Sequence, residues 1–239
     1  MISPDVSKSR MPYASSHTRR LRVDWGRVAK SQVRLLKKII DEHSTNVVPS
    51  WFFLDAPMVF EAVAGATDPI FGEPGDFEKA LSKNQPFRCW YSHGNSCYHS
   101  VDENVETLLD MIKEVAPDVI ICFSQASNCI SMALDALRRK GVAVPWKVTV
   151  MFSGGHIDDP IFDWQGWTSH HPTLRVFNAA KDTFFDGGEG SLQHMYPEIV
   201  EFPHSDGHMF PHSEPRASEI YNQVADEIYA RCGKKWKNT

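Results

Sequence analysis

The stretch from Asp118 to Asn128 constrains the fold of this chain more than any other. Its first part, VIICF at 119–123, is a short apolar run rich in β-branched residues, a pattern typical of a strand buried on both faces. Ser124 follows directly, and the apolar spacing over 130–137 predicts a helix with a mostly buried face. A strand, one serine and a helix form the layout of a nucleophile elbow, in which a sharp turn exposes the serine hydroxyl.

The usual elbow signature, G-x-S-x-G, is not met, because Cys122 and Ala126 occupy the two glycine positions. Both side chains are small, so a sharp turn remains sterically possible. The competing interpretation is structural: Ser124 caps the N-terminus of a helix that follows a buried strand. Residues 118–128 taken alone favour helix capping, so the rest of the chain has to decide between the two.

Composition sets the broad class. At 239 residues, with 42% hydrophobic and 23% charged residues, the chain has the composition of an ordinary soluble globular protein. A net charge of −5 gives no reason to expect nucleic acid or an anionic membrane as a partner. The five cysteines form no C-x-x-C pair, and we find neither a membrane-spanning apolar run nor the apolar core of a signal peptide. These features predict reduced thiols and a cytoplasmic location.

Strands alternate with helices along most of the chain, which predicts an α/β protein with a doubly wound, mostly parallel sheet and helices on both faces. We expect a polar N-terminal segment at 1–20 and a single domain at 21–239, interrupted by irregular excursions at 57–88 and 156–171. The predicted elements are a helix from residue 25 to 40, a strand at 47–54, helices at 102–115, 125–140 and 214–232, and strands at 119–123, 146–152, 174–177 and 198–202.

Three residues follow predicted strands in the order Ser124, Asp182 and His208, which is the chain order of the α/β-hydrolase triad. The carboxyl ends of parallel strands point the same way, so the loops after them meet in one crevice. There we expect His208 to take the proton of Ser124, while Asp182 fixes the tautomer of the imidazole. If Asp182 lies far from His208, the replacement candidate is Asp206, which is weaker because it stands only two residues before the histidine.

Five motifs in this order resemble those of the FSH family of serine hydrolases, and the resemblance runs from about Val33 to Ala230. They are Asp-Ala-Pro at 55–57, Phe-Ser-Gln at 123–125, Ser-Gly at 153–154, Lys-Asp at 181–182 and Gly-His-Met-Phe-Pro at 207–211. The family consists of small α/β-hydrolases related to the ovarian-tumour-suppressor-candidate hydrolase and to thioesterases that release fungal polyketides.

The resemblance implies an α/β-hydrolase fold and esterase or thioesterase activity on a small-molecule substrate. It implies Ser124 as nucleophile, Asp182 as acid and His208 as base, with no metal and no organic cofactor. The backbone N–H of Gln125, the residue after the nucleophile, is the expected oxyanion donor of the elbow.

Two departures from the family pattern bear on activity. The family elbow is G-F-S-Q-G, whereas this chain has Cys122 and Ala126 in place of the glycines. The family also opens with a hydrophobic strand ending in Leu-His-Gly, whose loop gives the second oxyanion donor. Residues 11–17 contain no His-Gly pair, so this first strand is predicted to be degenerate or missing, unless the sequence begins at the wrong exon. Losing one oxyanion donor costs ~100- to 1,000-fold in kcat, which makes a catalytically weak or inactive hydrolase-like binding protein the alternative function.

Other residues compete with the triad as candidate sites. Histidines recur at every fourth position over 204–212, but Pro203, Gly207 and Pro211 prevent the helix that would place them on one metal-binding face. Cys122 lies inside the predicted strand, where burial should raise the pKa of its thiol and make it inert as a nucleophile. The aromatic residues of the excursions, including Trp90 and Trp167, fit either an acyl pocket or plain packing.

Overall fold

A computed structural model describes residues 32–43, 49–60, 87–90, 99–154, 167–179 and 192–232. The helices in these ranges are α1 (Arg34–His43), α2 (His99–Val115), α3 (Gln125–Arg139) and α4 (Arg216–Cys232). The strands are β1 (Met58–Phe60), β2 (Phe87–Cys89), β3 (Val119–Phe123), β4 (Val148–Phe152), β5 (Thr173–Asn178) and β6 (Val200–His204). Within the same ranges, no helix combines the length and the apolar character needed to cross a membrane.

Strands β3 to β6 form one sheet in the order β3-β4-β5-β6, and all neighbouring pairs are parallel. The register pairs Phe123 with Phe152 at the end of β3 and Asn178 with His204 at the end of β5. All four strands therefore end at the same edge of the sheet. The loops that follow them are brought together there, as the alternation of strands and helices predicts.

Each face of this sheet is covered by helices. Alternate residues of β4 point to opposite faces, so that Val150 and Phe152 join a buried cluster with α1 and α4, whereas Met151 joins a second buried cluster with α2 and α3. Strands β4 and β5 are buried along their whole length, which is the pattern of parallel strands covered on both faces. The result is a three-layer α/β/α arrangement.

Strand β3, which leads into Ser124, is less protected than its neighbours. Cys122 is its one fully buried residue, and the other four are half-buried. This fits its position at the end of the described four-stranded sheet. Residues 11–17, which carry the expectation of a degenerate or missing first strand, lie outside the described residues.

The prediction of a strand ending at residue 54 is wrong for the part that is described, because residues 49–57 form no ladder. Their side chains nevertheless alternate: Trp51 and Phe53 pack against the α1/α4 cluster, while Phe52 is 63% and Leu54 40% exposed. Alternation of this kind needs only an extended backbone, whereas a strand also needs a partner, and no described strand pairs with these residues.

The two ends of the first excursion are joined. Strand β1 pairs with β2 in antiparallel fashion, with Met58 opposite Cys89. Arg88 adds two hydrogen bonds from Nη1, each 3.2 Å long, to the carbonyl oxygens of Ala56 and Pro57. The described segments on either side of residues 61–86 are therefore tied to each other.

Candidate active site

Ser124 connects β3 directly with α3 in a strained backbone conformation, with φ 51° and ψ −121°. A positive φ is unfavourable for any residue with a side chain, and it persists only where the surroundings enforce it. The Ser124 N–H donates to the carbonyl oxygen of Phe152 at 2.8 Å, and the Ser124 carbonyl oxygen accepts from Ser127 N–H at 2.9 Å. The side chain makes no capping hydrogen bond to the helix. The helix-capping interpretation of this serine is therefore wrong.

The Ser124 hydroxyl contacts an imidazole instead. Its Oγ lies 2.9 Å from Nε2 of His208. The serine is 9% exposed, so the hydroxyl meets the imidazole in a place largely shielded from water. The His208 ring packs at a tilt against Phe123, at 5.2 Å between centroids, and Phe123 stacks on Phe210 at 4.9 Å. A hydroxyl within hydrogen-bond reach of an imidazole is the arrangement that activates a serine nucleophile.

Asp206, the replacement candidate for the acid, is used to hold the loop that carries His208. Its Oδ2 accepts hydrogen bonds from the backbone N–H groups of His212, at 2.7 Å, and Ser213, at 2.9 Å. Burial of the carboxyl opposes its ionisation, but the hydrogen bonds from Ser213 and His212 outweigh burial and lower the pKa of Asp206 to about 2. This carboxylate is therefore ionised and directed at the residues after His208.

Two side chains from outside the loop fix it further. The Tyr221 hydroxyl on α4 donates to the carbonyl oxygen of Pro211 at 2.6 Å, in a buried position. Ser153, which follows β4, donates from Oγ to the carbonyl oxygen of Met209 at 3.4 Å. Met209 and Pro211, which follow His208, are thus anchored to the rest of the molecule.

Asp182, the predicted acid, lies outside the described residues, so its place beside His208 stays a prediction. The strand before it supports that prediction. Strand β5 ends at Asn178, four residues before Asp182, and Asn178 is in register with His204 at the end of β6. The loops that carry Asp182 and His208 therefore leave from adjacent strands at the same edge of the sheet.

Gln125, the predicted oxyanion donor, is the first residue of α3 and is 8% exposed. The first N–H groups of a helix have no partner within the helix, and they lie at the positive end of its dipole. The Gln125 side chain is occupied elsewhere, because its Oε1 accepts from the backbone N–H of Trp90 at 2.7 Å. Asn104 donates from Nδ2 to the Trp90 carbonyl oxygen at 2.6 Å. No local pattern in the sequence marks Asn104 as a neighbour of the elbow.

The elbow forms although Cys122 and Ala126 replace the usual glycines. Cys122 is 6% exposed, and burial raises the pKa of its thiol to about 12, as predicted. A thiol that remains protonated at neutral pH is a poor nucleophile. Ala126 is half-buried and packs against the α2/α3 cluster. The methyl of Ala126 is therefore accommodated against this cluster.

Gly154, the glycine of the Ser-Gly motif, lies so close to Ser127 that no side chain fits at this position. A Cβ added to Gly154 would lie 2.3 Å from Cβ of Ser127 and 2.5 Å from its Oγ. Ser127 itself is 1% exposed and sits in the first turn of α3. The chain after β4 thus passes directly against the helix that begins at the elbow.

The sequence also raised the possibility of a metal site and of an acyl pocket lined by aromatic residues. Across the described ranges, no group of three or more His, Cys, Asp or Glu side chains is placed to hold a metal ion. Trp167 is 5% exposed and packs edge-on against Tyr196, at 5.3 Å between ring centroids. Trp167 is therefore part of the buried α2/α3 cluster, whereas Trp90 is only partly buried.

The chain is similar to one known family of proteins. A family model described as serine hydrolase (FSH1) matches residues 24–220, a range that includes Ser124, Asp182 and His208. No curated protein matches the chain. A solved structure described as "Structure of YahD with Malic acid" is similar with a TM-score of 0.36 and 11% sequence identity, over 54% of this chain and 62% of that one. Because the family match covers most of its length, the chain belongs to the FSH1 family of serine hydrolases, and its parallel sheet covered by helices on both faces is an α/β-hydrolase fold.

Proposed function

We propose that this protein is a serine hydrolase that cleaves carboxylic esters or thioesters through an acyl-serine intermediate. The observation that carries the proposal is the 2.9 Å contact between Ser124 Oγ and His208 Nε2, made by a serine in a strained turn between strand and helix. Membership of the FSH1 family supports the hydrolase class.

The proposed reaction begins when Ser124 Oγ attacks the carbonyl carbon of the substrate and His208 Nε2 takes the serine proton. Asp182 orients the His208 ring and stabilises the imidazolium that forms. The negative charge on the substrate oxygen is bound by the backbone N–H of Gln125 at the start of α3. Collapse of this intermediate expels the alcohol or thiol, which takes the proton from His208. Water then attacks the acyl-serine by the same route and releases the acid.

Turnover of the ester separates this proposal from the alternative of a non-catalytic hydrolase-like binding protein. We expect the wild type to hydrolyse a short-chain p-nitrophenyl ester and the matching alkyl thioester, and Ser124→Ala to lose at least ~1,000-fold in kcat. Ser205→Ala is the matched control, because Ser205 is an exposed serine on the loop that carries His208. If the wild type is no faster than Ser124→Ala, the binding-protein alternative is correct.

We also expect turnover to be slow for this class of enzyme, because the Leu-His-Gly loop that supplies the second oxyanion donor is missing from residues 11–17. Acylation by a reactive phosphonate should survive this loss better than hydrolysis of an unactivated ester. Comparing the rate of probe labelling with the turnover of the p-nitrophenyl ester tests this expectation. Turnover near ~10 s⁻¹, the median for enzymes, would show that another donor completes the oxyanion hole.

A further inference from the structure

Gln125 offers two groups to its surroundings, the backbone N–H proposed as oxyanion donor and a buried side-chain amide. The side-chain oxygen accepts from Trp90 N–H at 2.7 Å, and Asn104 Nδ2 on α2 donates to the Trp90 carbonyl oxygen at 2.6 Å. Gln125 and Asn104 are each 8% exposed. Both main-chain groups of Trp90 are therefore bound by side-chain amides that come from two different helices. We refer to Gln125, Trp90 and Asn104 as the amide clamp.

The amide clamp connects the elbow to the β1–β2 pair. Trp90 directly follows β2, and β2 is held to the chain before β1 through Arg88 and to β1 by the antiparallel ladder. Trp90 also packs, partly buried, against the cluster formed by α2 and α3. Because Trp90 is fixed by these contacts, the Gln125 side chain cannot turn without breaking a buried hydrogen bond.

The strained backbone of Ser124 makes the direction of the Gln125 N–H depend on contacts such as the amide clamp. A residue held at φ 51° relaxes unless several contacts determine its position, and any rotation of the Ser124–Gln125 peptide changes the direction of the Gln125 N–H. We infer that Gln125 is a positioning residue. By accepting the hydrogen bond from Trp90, its side-chain carboxamide holds the backbone N–H of Gln125 in the direction of the oxyanion. This inference rests on the proposed function.

A positioning role and a purely structural role have different kinetic consequences. A misdirected oxyanion donor weakens binding of the transition state and leaves binding of the ester almost unchanged, so kcat falls while KM stays near its wild-type value. A loss of folding stability only reduces the fraction of active protein. It lowers the apparent kcat but leaves the affinity of the folded molecules for an oxyanion-forming inhibitor unchanged.

Three variants test the inference. Gln125→Met keeps the length of the side chain and removes the acceptor, and Asn104→Leu breaks the amide clamp at its other end without touching the elbow. Asn222→Leu is the control: the same change on α4, at an exposed asparagine whose Nδ2 bonds the Ser218 carbonyl oxygen at 2.7 Å. For each variant we would measure kcat and KM with a p-nitrophenyl ester, the Ki of a trifluoromethyl ketone, which forms a hemiketal oxyanion on the serine, and the thermal midpoint.

We expect Gln125→Met to lower kcat about 10-fold and to raise the Ki of the ketone by the same factor, a part of the ~100- to 1,000-fold cost of losing a donor outright. KM should stay within about two-fold of the wild type. Asn104→Leu should change kcat and Ki in the same directions by about 3-fold, which also tests the inference if Gln125→Met fails to fold. Asn222→Leu should match the wild type.

A wild-type Ki in folded Gln125→Met or Asn104→Leu would overturn the inference, whatever happens to the thermal midpoint, and would leave the proposed function standing. A wild-type protein that neither hydrolyses the ester nor binds the ketone would overturn the proposed function, and the positioning role with it.

Discussion

The backbone conformation of Ser124 determines which partner its hydroxyl has. Holding a residue with a side chain at φ 51° costs about 1–3 kcal/mol, and the hydrogen bonds to Phe152 and Ser127 keep it there. A serine in the ordinary conformation before a helix turns its hydroxyl to the free N–H groups of the first turn. Here the hydroxyl is directed away from them and bonds to His208. The strained backbone therefore directs the hydroxyl to His208 and away from the helix.

The two candidate acids can be separated by matched substitutions. We expect Asp182→Asn to lower kcat by about 10⁴-fold, because an amide at this position would favour the wrong tautomer of His208. Asp206→Asn should keep kcat within about 10-fold, because its carboxylate binds the N–H groups of His212 and Ser213 and its loss disturbs only the loop.

Steady-state kinetics of both variants, together with their urea unfolding curves, check this assignment. Asp206→Asn should be the less stable of the two, because it gives up charge-assisted hydrogen bonds to backbone N–H groups. If Asp206→Asn lost the activity and Asp182→Asn retained it, the acid of the triad would be Asp206.

At the scale of elements, the site is the meeting point of α3, the end of β4 and the loop after β6. Ser153 and Gly154, which follow β4, contact the other two elements. Ser153 donates a hydrogen bond to the carbonyl oxygen of Met209, next to His208, and Gly154 lies against Ser127 on α3. The Ser-Gly pair after β4 thus contacts both the helix that follows Ser124 and the loop that carries His208.

Gly154→Ala should therefore destabilise the protein. The added methyl would overlap Cβ of Ser127 at 2.3 Å, and overpacking of this kind costs about 1–3 kcal/mol. Urea unfolding measures the loss. In the double variant with Ser127→Gly the overlap disappears. The double variant should therefore lose less free energy of unfolding than the two single variants lose in sum.

Gly141→Ala is the control. A Cβ at this position meets no atom within 4 Å, so the substitution is unfavourable only because the residue has a positive φ of 64°. It should cost about 1–2 kcal/mol, with no relief from Ser127→Gly. Equal costs of Gly154→Ala with and without Ser127 would contradict the proposed contact.

The sequence allowed most elements to be predicted where the pattern is local. The period of α2, α3 and α4 and the apolar runs of β3, β4 and β5 identify them within a few residues. Strand β6 runs from Val200 to His204, two residues later than expected, because its ends are set by pairing with β5. The β1–β2 ladder and the amide clamp depend on contacts between residues far apart in sequence. No periodicity encodes such contacts.

The candidate site was predictable to a similar degree. Ser124 and His208 could be placed together, because both follow strands of one parallel sheet. That Asp206 anchors the loop through its carboxylate could not be predicted, since this depends on how residues 206–213 turn back on themselves.

In the molecule as a whole, polar groups are buried both within the sheet and beside it. Arg175 and Glu201, neighbours on β5 and β6, form an ion pair of 2.7 Å with side chains 1% and 9% exposed. His171, just before β5, packs edge-on against Trp146 at 5.5 Å, and its Nε2 is buried without a hydrogen-bond partner in the described structure. Burial lowers the pKa of His171 to about 4.

His171 should therefore make the protein less stable in mild acid. The folded state holds the ring neutral, whereas the unfolded chain protonates it below its ordinary pKa of about 6.5. The stabilising contribution is complete above pH 6.5 and is lost as the pH falls from 6.5 towards 4. Between pH 7 and pH 5 this amounts to about 2 kcal/mol.

Urea unfolding at pH 7 and pH 5 measures the effect. His171→Gln should lose about 2 kcal/mol less than the wild type between the two pH values. His170→Gln is the control, because it makes the same change at the neighbouring residue, whose side chain is 73% exposed. An unchanged pH dependence in His171→Gln would show that the buried ring is not the group responsible.

Ser124 is proposed to be an activated nucleophile, and intact-mass analysis after treatment with a fluorophosphonate tests this claim. Such probes react with a serine hydroxyl only where a neighbouring base activates it. We expect one adduct on the wild-type chain, one on Ser205→Ala, and none on Ser124→Ala or, within the same time, on His208→Ala. An unmodified wild-type chain, or an adduct that persists on Ser124→Ala, would contradict the claim.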